Sequence, residues 1–323
     1  MSSSRLGILI LIVAGVLAST SCGYYNQIMS RKDLVDGSVA YRERKFAEAE
    51  ELFRKAAARD PEGDTTEGKT AQVFLARTLH SRYIGNRQET KLAESAITEY
   101  KKALAQNPND QSSYKAVASL LENLQKTEEW QQWVNERSTN PNIEPAYRAE
   151  AYTALAAKQN TCANEITDTE ATKKTIKGPD GKDMYQFVKP ADAAEFERLR
   201  GCVATGSELI GKAIALEPDA VKNAKSFNIK GATDEDITKL MNQIKIFESA
   251  RSYHASLTAQ AMRLAEMEGR TADRDRLKTE ADQYRAQYTE LSQISRDMQS
   301  EIDARKAAAA AAEAANANAN AAK

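Results

Sequence analysis

The chain has 323 residues, a length that suggests two domains and suffices for a substantial buried core. Its 14 Gly and 7 Pro are too few for a collagen-like chain and argue against a β-sandwich with many turns, so long helices fit better. The 45 basic and 46 acidic residues nearly cancel, which argues against nucleic acid as a partner, and two His and three Cys argue against His-based catalysis and thiolate metal sites.

The first 22 residues have the composition of an export signal. Arg5 precedes an uncharged run from Leu6 to Ala18, and the polar residues Ser19 to Ser21 follow at once. A membrane-spanning helix needs about 20 apolar residues, so export with cleavage is favoured over a permanent anchor.

The residue after this segment is a cysteine, and residues 1–22 resemble a bacterial lipoprotein signal ending at Cys22. The resemblance implies that Cys22 receives diacylglycerol and becomes the mature N-terminus. Gly23 stands in place of the Asp that retains lipoproteins in the inner membrane, which implies an outer-membrane lipoprotein facing the periplasm. Ser19 stands where such signals usually carry Leu, so ordinary cleavage with secretion and an uncleaved inner-membrane anchor stay open as alternatives.

A spaced pattern of small and large residues recurs along the chain. In residues 37–61 one helical face carries Val39, Phe46, Ala49, Phe53 and Ala56, and a proline ends the second helix. The three copies of the spacing are Ala49, Phe53, Ala56 and Pro61; Ala96, Tyr100, Ala103 and Pro108; and Gly206, Ile210, Ala213 and Pro218.

This spacing resembles the second helix of a tetratricopeptide repeat (TPR), where small residues let two antiparallel helices approach. Residues 112–141 carry a degenerate copy with Tyr114, Ala118, Leu121, Trp130 and Val134. The resemblance covers residues 33–218 and implies an all-α, TPR-like solenoid of about four antiparallel helix pairs.

Unequal spacing of the stop prolines predicts two insertions. The first, residues 82–91, is predicted to be a loop. The second, about residues 160–190, contains Gly178-Pro179-Asp180-Gly181 between short β-prone runs and is predicted to form a small β-hairpin. In an exported protein Cys162 and Cys202 remain as an even pair, so we predict a disulfide that closes the base of this insertion; two free cysteines are the alternative.

The remainder of the chain is predicted to form longer helices. Thr233 has the features of an N-cap, and a helix is predicted to about Met267, with Gly269 as a stop. The next helix carries a heptad face of Leu277, Ala281, Tyr284, Tyr288, Leu291, Ser295, Met298 and Ile302. We predict a long helical hairpin over 219–306, with self-association through 271–305 as the competitor, and a frayed Ala/Asn tail at 307–323.

The TPR resemblance implies binding of peptides or partner proteins on a concave side formed by the first helix of each pair. The repeat register places seven residues there: Tyr41, Arg42, Arg77, His80, Lys115, Ser119 and Asn123. The Lys/Asn clamp of chaperone-binding relatives is not reproduced, because Leu34 and Ser38 stand at the corresponding places.

Catalytic and metal-binding motifs are missing from the sequence. His80 and His254 belong to no metalloprotease motif, and no Walker loop or nucleophile elbow occurs. The sequence therefore predicts a non-enzymatic scaffold without cofactor or metal, anchored in the bacterial cell envelope, whose partners are other envelope proteins or peptides. A structural or oligomerising coiled-coil spacer is the alternative, and a ligand-binding protein that uses the insertion is a third hypothesis.

Overall fold

The structure, a computed structural model, describes residues 3–178 and 180–321, with side chains described from residue 23 onward except at 316 and 318–321. The chain divides into two compact units, Met1–Trp130 and Gln131–Lys323. The all-α, TPR-like fold class is confirmed, since consecutive helices pack in antiparallel pairs. Pro179 of the predicted turn lies outside the described residues.

Six helices begin in the described residues of the first unit, and the sixth extends beyond Trp130. They are α1 (Ser3–Arg42), α2 (Phe46–Ala58), α3 (Thr66–Gly85), α4 (Thr90–Gln106), α5 (Gln111–Asn123) and α6 (Thr127–Thr139). α1 continues as one helix through Cys22. Cleavage and lipidation at that residue stay predictions. No helix of the described residues has the length and apolar character of a membrane span.

Small residues bring the helices of the first unit together. The repeated positions Ala49, Phe53 and Ala56 are each fully buried on α2, and Ala96, Tyr100 and Ala103 are buried on α4. Gly37 of α1 lies against the Phe53 ring so closely that a Cβ there would come within 2.8 Å of it. Burying a phenyl ring of this kind contributes about 1.5–3 kcal/mol.

Two sequence predictions in this unit are wrong. Val39, assigned to the packed face, is 40% exposed, and Ala40 is buried in its place because Gly37 and Ala40, one turn apart, share the side that meets α2. The predicted loop at 82–91 is shortened to the residues between Gly85 and Thr90. Tyr83 is buried near the end of α3, and the helix continues to Gly85, with Asn86 as its C-cap.

The second unit contains the remaining helices and the predicted hairpin. These are α7 (Pro145–Thr167), β1 (Lys173–Lys177), β2 (Asp183–Phe187), α8 (Ala193–Ala215), the short α9 (Asp219–Lys222), two 3₁₀ turns (Ala224–Ser226 and Ile229–Gly231), α10 (Asp234–Met267) and α11 (Thr271–Ala321). β1 and β2 pair antiparallel from Lys173 opposite Phe187 to Lys177 opposite Asp183, which confirms the hairpin insertion. The insertion is shorter than predicted, since α7 continues to Thr167.

The last predicted repeat and the C-terminal hairpin share one core. Ala149 and Ile210 of the helix pair α7 and α8 are buried in the same cluster as Ile244 and Phe247 of α10 and Leu291 of α11. This shared core includes residues on both sides of the boundary predicted after residue 218, and the chain divides into its two compact units at Trp130 and Gln131.

The heptad face of α11 is used within the chain. Ala281, Leu291, Met298 and Ile302 are at most 5% exposed, in a helix that packs along α10. The long helical hairpin is thus confirmed, and these four residues of the heptad face are buried within the chain. Self-association through 271–305 stays an untested alternative. The predicted frayed tail is helical to Ala321, because alanine forms helix readily without side-chain packing.

The two cysteines join α7 and α8 rather than the base of the insertion. Cys162 and Cys202 lie with their Cα atoms 6.1 Å apart and their sulfurs within bonding distance. Cys162 is within α7, and Cys202 is nine residues into α8, among the buried side chains Leu199 and Val203. A bond here connects two helices that already pack against each other.

Gly206 offers a test of the close helix contact in the second unit. A Cβ at Gly206 would lie 2.6 Å from Leu257 Cδ2 and 3.1 Å from Gln159 Cβ, whereas a Cβ at Gly211 of the same helix meets nothing within 4 Å. We expect Gly206→Ala to lower the free energy of unfolding by about 1 kcal/mol, since overpacking outweighs the gain in helix propensity. Gly211→Ala should raise it by about 0.5–1 kcal/mol. Urea denaturation of both variants measures this, and equal stabilisation by the two would contradict the close packing.

Reduction tests the cysteine pair. Opening a loop of 40 residues between Cys162 and Cys202 should lower the free energy of unfolding by about 3–4 kcal/mol. The measurement is urea denaturation with and without dithiothreitol. The variant Cys162→Ser/Cys202→Ser is the control and should show no response to the reductant; an unchanged wild-type midpoint would argue for free thiols.

Candidate interaction surface on the first helices

The seven residues predicted to bind a partner lie on α1, α3 and α5, the first helices of the three pairs. Tyr41 and Arg42 belong to α1, and Arg77 and His80 to α3. Lys115, Ser119 and Asn123 follow each other at four-residue steps, so they share one exposed side of α5. We call the surface formed by Tyr41, Phe74, Arg77, His80, Ile84, Ser112, Lys115, Ser119 and Asn123 the first-helix face.

Aromatic contacts hold α1 against α3 at this face. The Tyr41 ring meets Phe74 edge-on, with ring centroids 6.1 Å apart, and meets Phe46 at 5.4 Å. Phe74 also lies 5.3 Å from the buried Phe53 ring. The Tyr41 hydroxyl is 3.0 Å from the Ser81 hydroxyl and shares a hydrogen bond with it. Tyr41 is therefore held by contacts on two helices, which limits the entropy it loses when a partner binds.

Two guanidinium groups link α3 and its following turn to α5. Arg77 lies over the Phe74 ring at 5.4 Å and donates to the Ser112 hydroxyl at 3.2 Å. Arg87 donates to the Asn123 side-chain oxygen at 3.3 Å. Both acceptors are neutral, and neither arginine forms an ion pair with a carboxylate of the described residues. Their positive charges therefore remain uncompensated by these contacts.

His80 lies half-buried behind this charged layer. Its Nδ1 is 3.4 Å from the Tyr100 hydroxyl, and the two rings meet edge-on at 6.0 Å. Burial lowers the pKa of His80, and the positive charge of Arg87 lowers it further. Burial raises the pKa of the Tyr100 hydroxyl, against the opposing effect of Arg77. At neutral pH both groups are uncharged, so His80 adds a hydrogen-bonding ring rather than a charge.

The contacts connect only part of the predicted set. Tyr41, Arg77 and His80 belong to the aromatic and polar network, and Asn123 accepts a hydrogen bond from Arg87. Lys115 and Ser119 are exposed on the side of α5 that also carries Asn123. Arg42 is exposed and lies about 100° around α1 from Tyr41, and no contact within the described residues joins it to the network.

Sequence reasoning missed two apolar members of the face. Phe74 precedes Arg77 by one helical turn, and Ile84, which is 56% exposed, follows His80 by four residues. A search for apolar residues one turn from the predicted polar ones finds both. Tyrosine, phenylalanine and arginine are enriched at protein interfaces, and the first-helix face carries all three types.

A separate cleft occurs in the second unit. It has a volume of about 510 Å³ and lies between α10 and the segment that contains α9 and the two 3₁₀ turns. Its walls include Asn223, Phe227, Asn228, Lys239 and Gln243. The third hypothesis placed a ligand site beside the insertion at 160–190, and no insertion residue lines this cleft. In the described part of the chain no group of His, Cys, Asp and Glu is arranged to hold a metal ion.

Comparison with known proteins adds two remote structural neighbours. No protein-family model matches the chain, and no curated protein matches it. PilF of Pseudomonas aeruginosa, solved in a study of its functional characterisation, is similar with 17% identity and a TM-score of 0.32 over 85% of this chain and 99% of that one. A tetratricopeptide repeat protein from Parabacteroides merdae has 14% identity and a TM-score of 0.30 over 83% and 98%. Neither similarity carries a conclusion about function.

The two histidines predict how stability depends on pH. Burial lowers the pKa of His254, which stacks on Tyr284 at 3.8 Å, and the charge of Glu280 opposes this effect. Because His80 and His254 both bind a proton less readily in the folded chain, protonation below about pH 6.5 favours the unfolded state. We therefore expect the free energy of unfolding to fall as the pH is lowered through this range.

The variant His80→Gln/His254→Gln removes both histidines of the chain. Its free energy of unfolding should stay constant between about pH 7.5 and pH 6, where carboxyl groups remain ionised in the folded and unfolded chain. Urea denaturation at each pH gives the change in free energy of unfolding with pH for the wild type and the double variant. A loss of stability that is the same at every pH does not alter this change. A slope in the double variant equal to that of the wild type would show that other groups cause the dependence.

Proposed function

We propose that the chain is a non-enzymatic scaffold that binds a protein partner through the first-helix face. The observation that carries the proposal is a combination of packed aromatic rings with two arginines that have no carboxylate partner among the described residues, Arg77 on α3 and Arg87 in the turn that follows it. The second helices present mainly charged side chains that pair within the chain, such as Lys55 with Glu51 at 2.7 Å. The first-helix face is therefore the better surface for a partner.

The partner chemistry that fits this face is an acidic segment with apolar side chains. Arg77 and Arg87 supply positive charge, and their present acceptors are a hydroxyl and an amide that a carboxylate would outcompete because charge-assisted hydrogen bonds are stronger. Tyr41, Phe74 and Ile84 supply apolar contact area. Opposite charges on the two surfaces would speed association and set its orientation.

We further propose that the scaffold is a lipoprotein of the bacterial cell envelope, anchored through lipid at Cys22 and facing the periplasm from the outer membrane. The sequence of residues 1–22 supports this location. The position of Cys162 opposite Cys202 on packed helices also supports it, since disulfides persist in oxidising compartments.

Photo-crosslinking in the native envelope tests the face. A photoreactive amino acid at Ile84 or Ser119, both exposed on the first-helix face, should give an adduct of one discrete mass. The same residue at Lys55 or Thr98, exposed on α2 and α4, is the matched control and should not give that adduct. Adducts of equal yield from both pairs of sites would contradict the proposal.

Charge reversal tests the chemistry of the partner. Arg77→Glu/Arg87→Glu should lower the yield of the Ser119 adduct about 10-fold or more, since like charges then face each other. Lys55→Glu/Lys91→Glu makes the same change of net charge on the second helices and should leave the yield unchanged. A loss of equal size in both double variants would point to net charge rather than to this face.

A further inference from the structure

The N-terminal part of α1 stands clear of the helices that pack on it. Gly23 to Ile28 are exposed without interruption, and Met29 is half-buried. Ser30 is the first fully buried residue among the described side chains of α1, and its hydroxyl donates to the Ala56 carbonyl oxygen at 3.1 Å. Residues 23–29, which we call the stem, therefore extend about 10 Å beyond the packed body at the helical rise of 1.5 Å per residue.

The stem exposes large apolar side chains to solvent. Tyr24 is 70% exposed, Tyr25 59% and Ile28 49%. The sequence carries no charged residue between Arg5 and Arg31, so the stem continues the uncharged segment that precedes it. An apolar surface of this kind needs an environment other than bulk water, and nothing in the described part of the chain covers it.

Basic residues follow directly at the base of the stem. Arg31 makes no ion pair with any described residue, and Lys32 faces Asp36 at 3.8 Å in a pair that is exposed on both sides. Residues 23–32 contain no acidic residue, so this end of α1 is locally positive although the chain as a whole is nearly neutral.

We propose that the stem is seated in the interfacial layer of a bilayer that contains anionic lipid. Tyr24, Tyr25 and Ile28 would lie among the headgroups and upper acyl chains, and Arg31 and Lys32 would contact the lipid phosphates. The inference rests on the proposed anchor at Cys22, directly before the stem. Tyrosine favours this layer because its ring is apolar and its hydroxyl is polar. Interfacial segments lie about 5–10 Å deep in the boundary between headgroups and acyl chains, which accommodates the stem.

The apolar side of α1 continues beyond the stem, which provides a matched control. Val35 is 54% exposed and lies two turns after Ile28 on the same side of the helix. It is about 10 Å farther along the axis and follows the basic pair, next to Asp36. The proposal therefore places Val35 in water and Ile28 in lipid.

Tryptophan fluorescence of the mature chain, purified from the bacterial envelope, measures this difference. Ile28→Trp and Val35→Trp are each bound to vesicles of phosphatidylcholine with phosphatidylglycerol, whose acyl chains carry bromine, and the signal of Trp130 and Trp133 in the parent chain is subtracted. We expect the brominated acyl chains to lower the emission of Trp at 28 at least 2-fold and to lower that of Trp at 35 only slightly. Iodide in the buffer should quench Trp at 35 and not Trp at 28. Quenching of Trp at 28 should be stronger in vesicles with phosphatidylglycerol than in vesicles of phosphatidylcholine alone. Arg31→Gln/Lys32→Gln should abolish this difference, and Arg54→Gln/Lys55→Gln should not.

Other outcomes overturn the inference in distinguishable ways. If the chain sediments with vesicles but Trp at 28 remains open to iodide, the stem is not seated, although anchoring survives. If Trp at 28 becomes protected without vesicles as protein concentration rises, a second copy covers the stem instead. If the chain does not sediment with vesicles at all, both the seat and the proposed anchor fail.

Discussion

Close approach of helices at positions without large side chains is the constraint on which the structure depends. Gly37 admits the Phe53 ring in the first unit, and Gly206 admits Leu257 in the second. At both places a single added carbon would meet a side chain that is fully buried and has little room to move. Helical stability in proteins comes mostly from tertiary packing of apolar faces, and these contacts bring such faces together.

This packing decides which surfaces remain for other tasks. In the first unit the repeated alanines and aromatic residues are buried on α2 and α4. Arg77, Ile84 and the ring of Tyr41 lie nearer the surface on the first helices. The polar contacts there involve neutral acceptors, and the positive charge of the arginines stays available. The proposed binding surface therefore lies beside the repeat core.

The proposed scaffold and the proposed stem depend on different ends of α1. Tyr41, near the C-terminal end, is held by Phe74 and Ser81. Tyr24 and Tyr25 have no such contact and lie more than 20 Å away along the same helix axis, at about 1.5 Å per residue. One rigid helix would therefore connect a membrane contact to a partner-binding face, and each can fail in experiment without the other.

Local spacing in the sequence was sufficient to predict the helices, the buried positions Phe53, Tyr100 and Ile210, and the hairpin turn, because each depends on residues within a few turns of one another. Only the tertiary structure decided that the α11 heptad face packs on α10, that the two cysteines join α7 to α8, and that the unit boundary lies at Trp130. It also decided that Val39 faces solvent and that Phe74 lies beside Tyr41. Those outcomes depend on which distant segment covers a given apolar face, and helical periodicity contains no information about that.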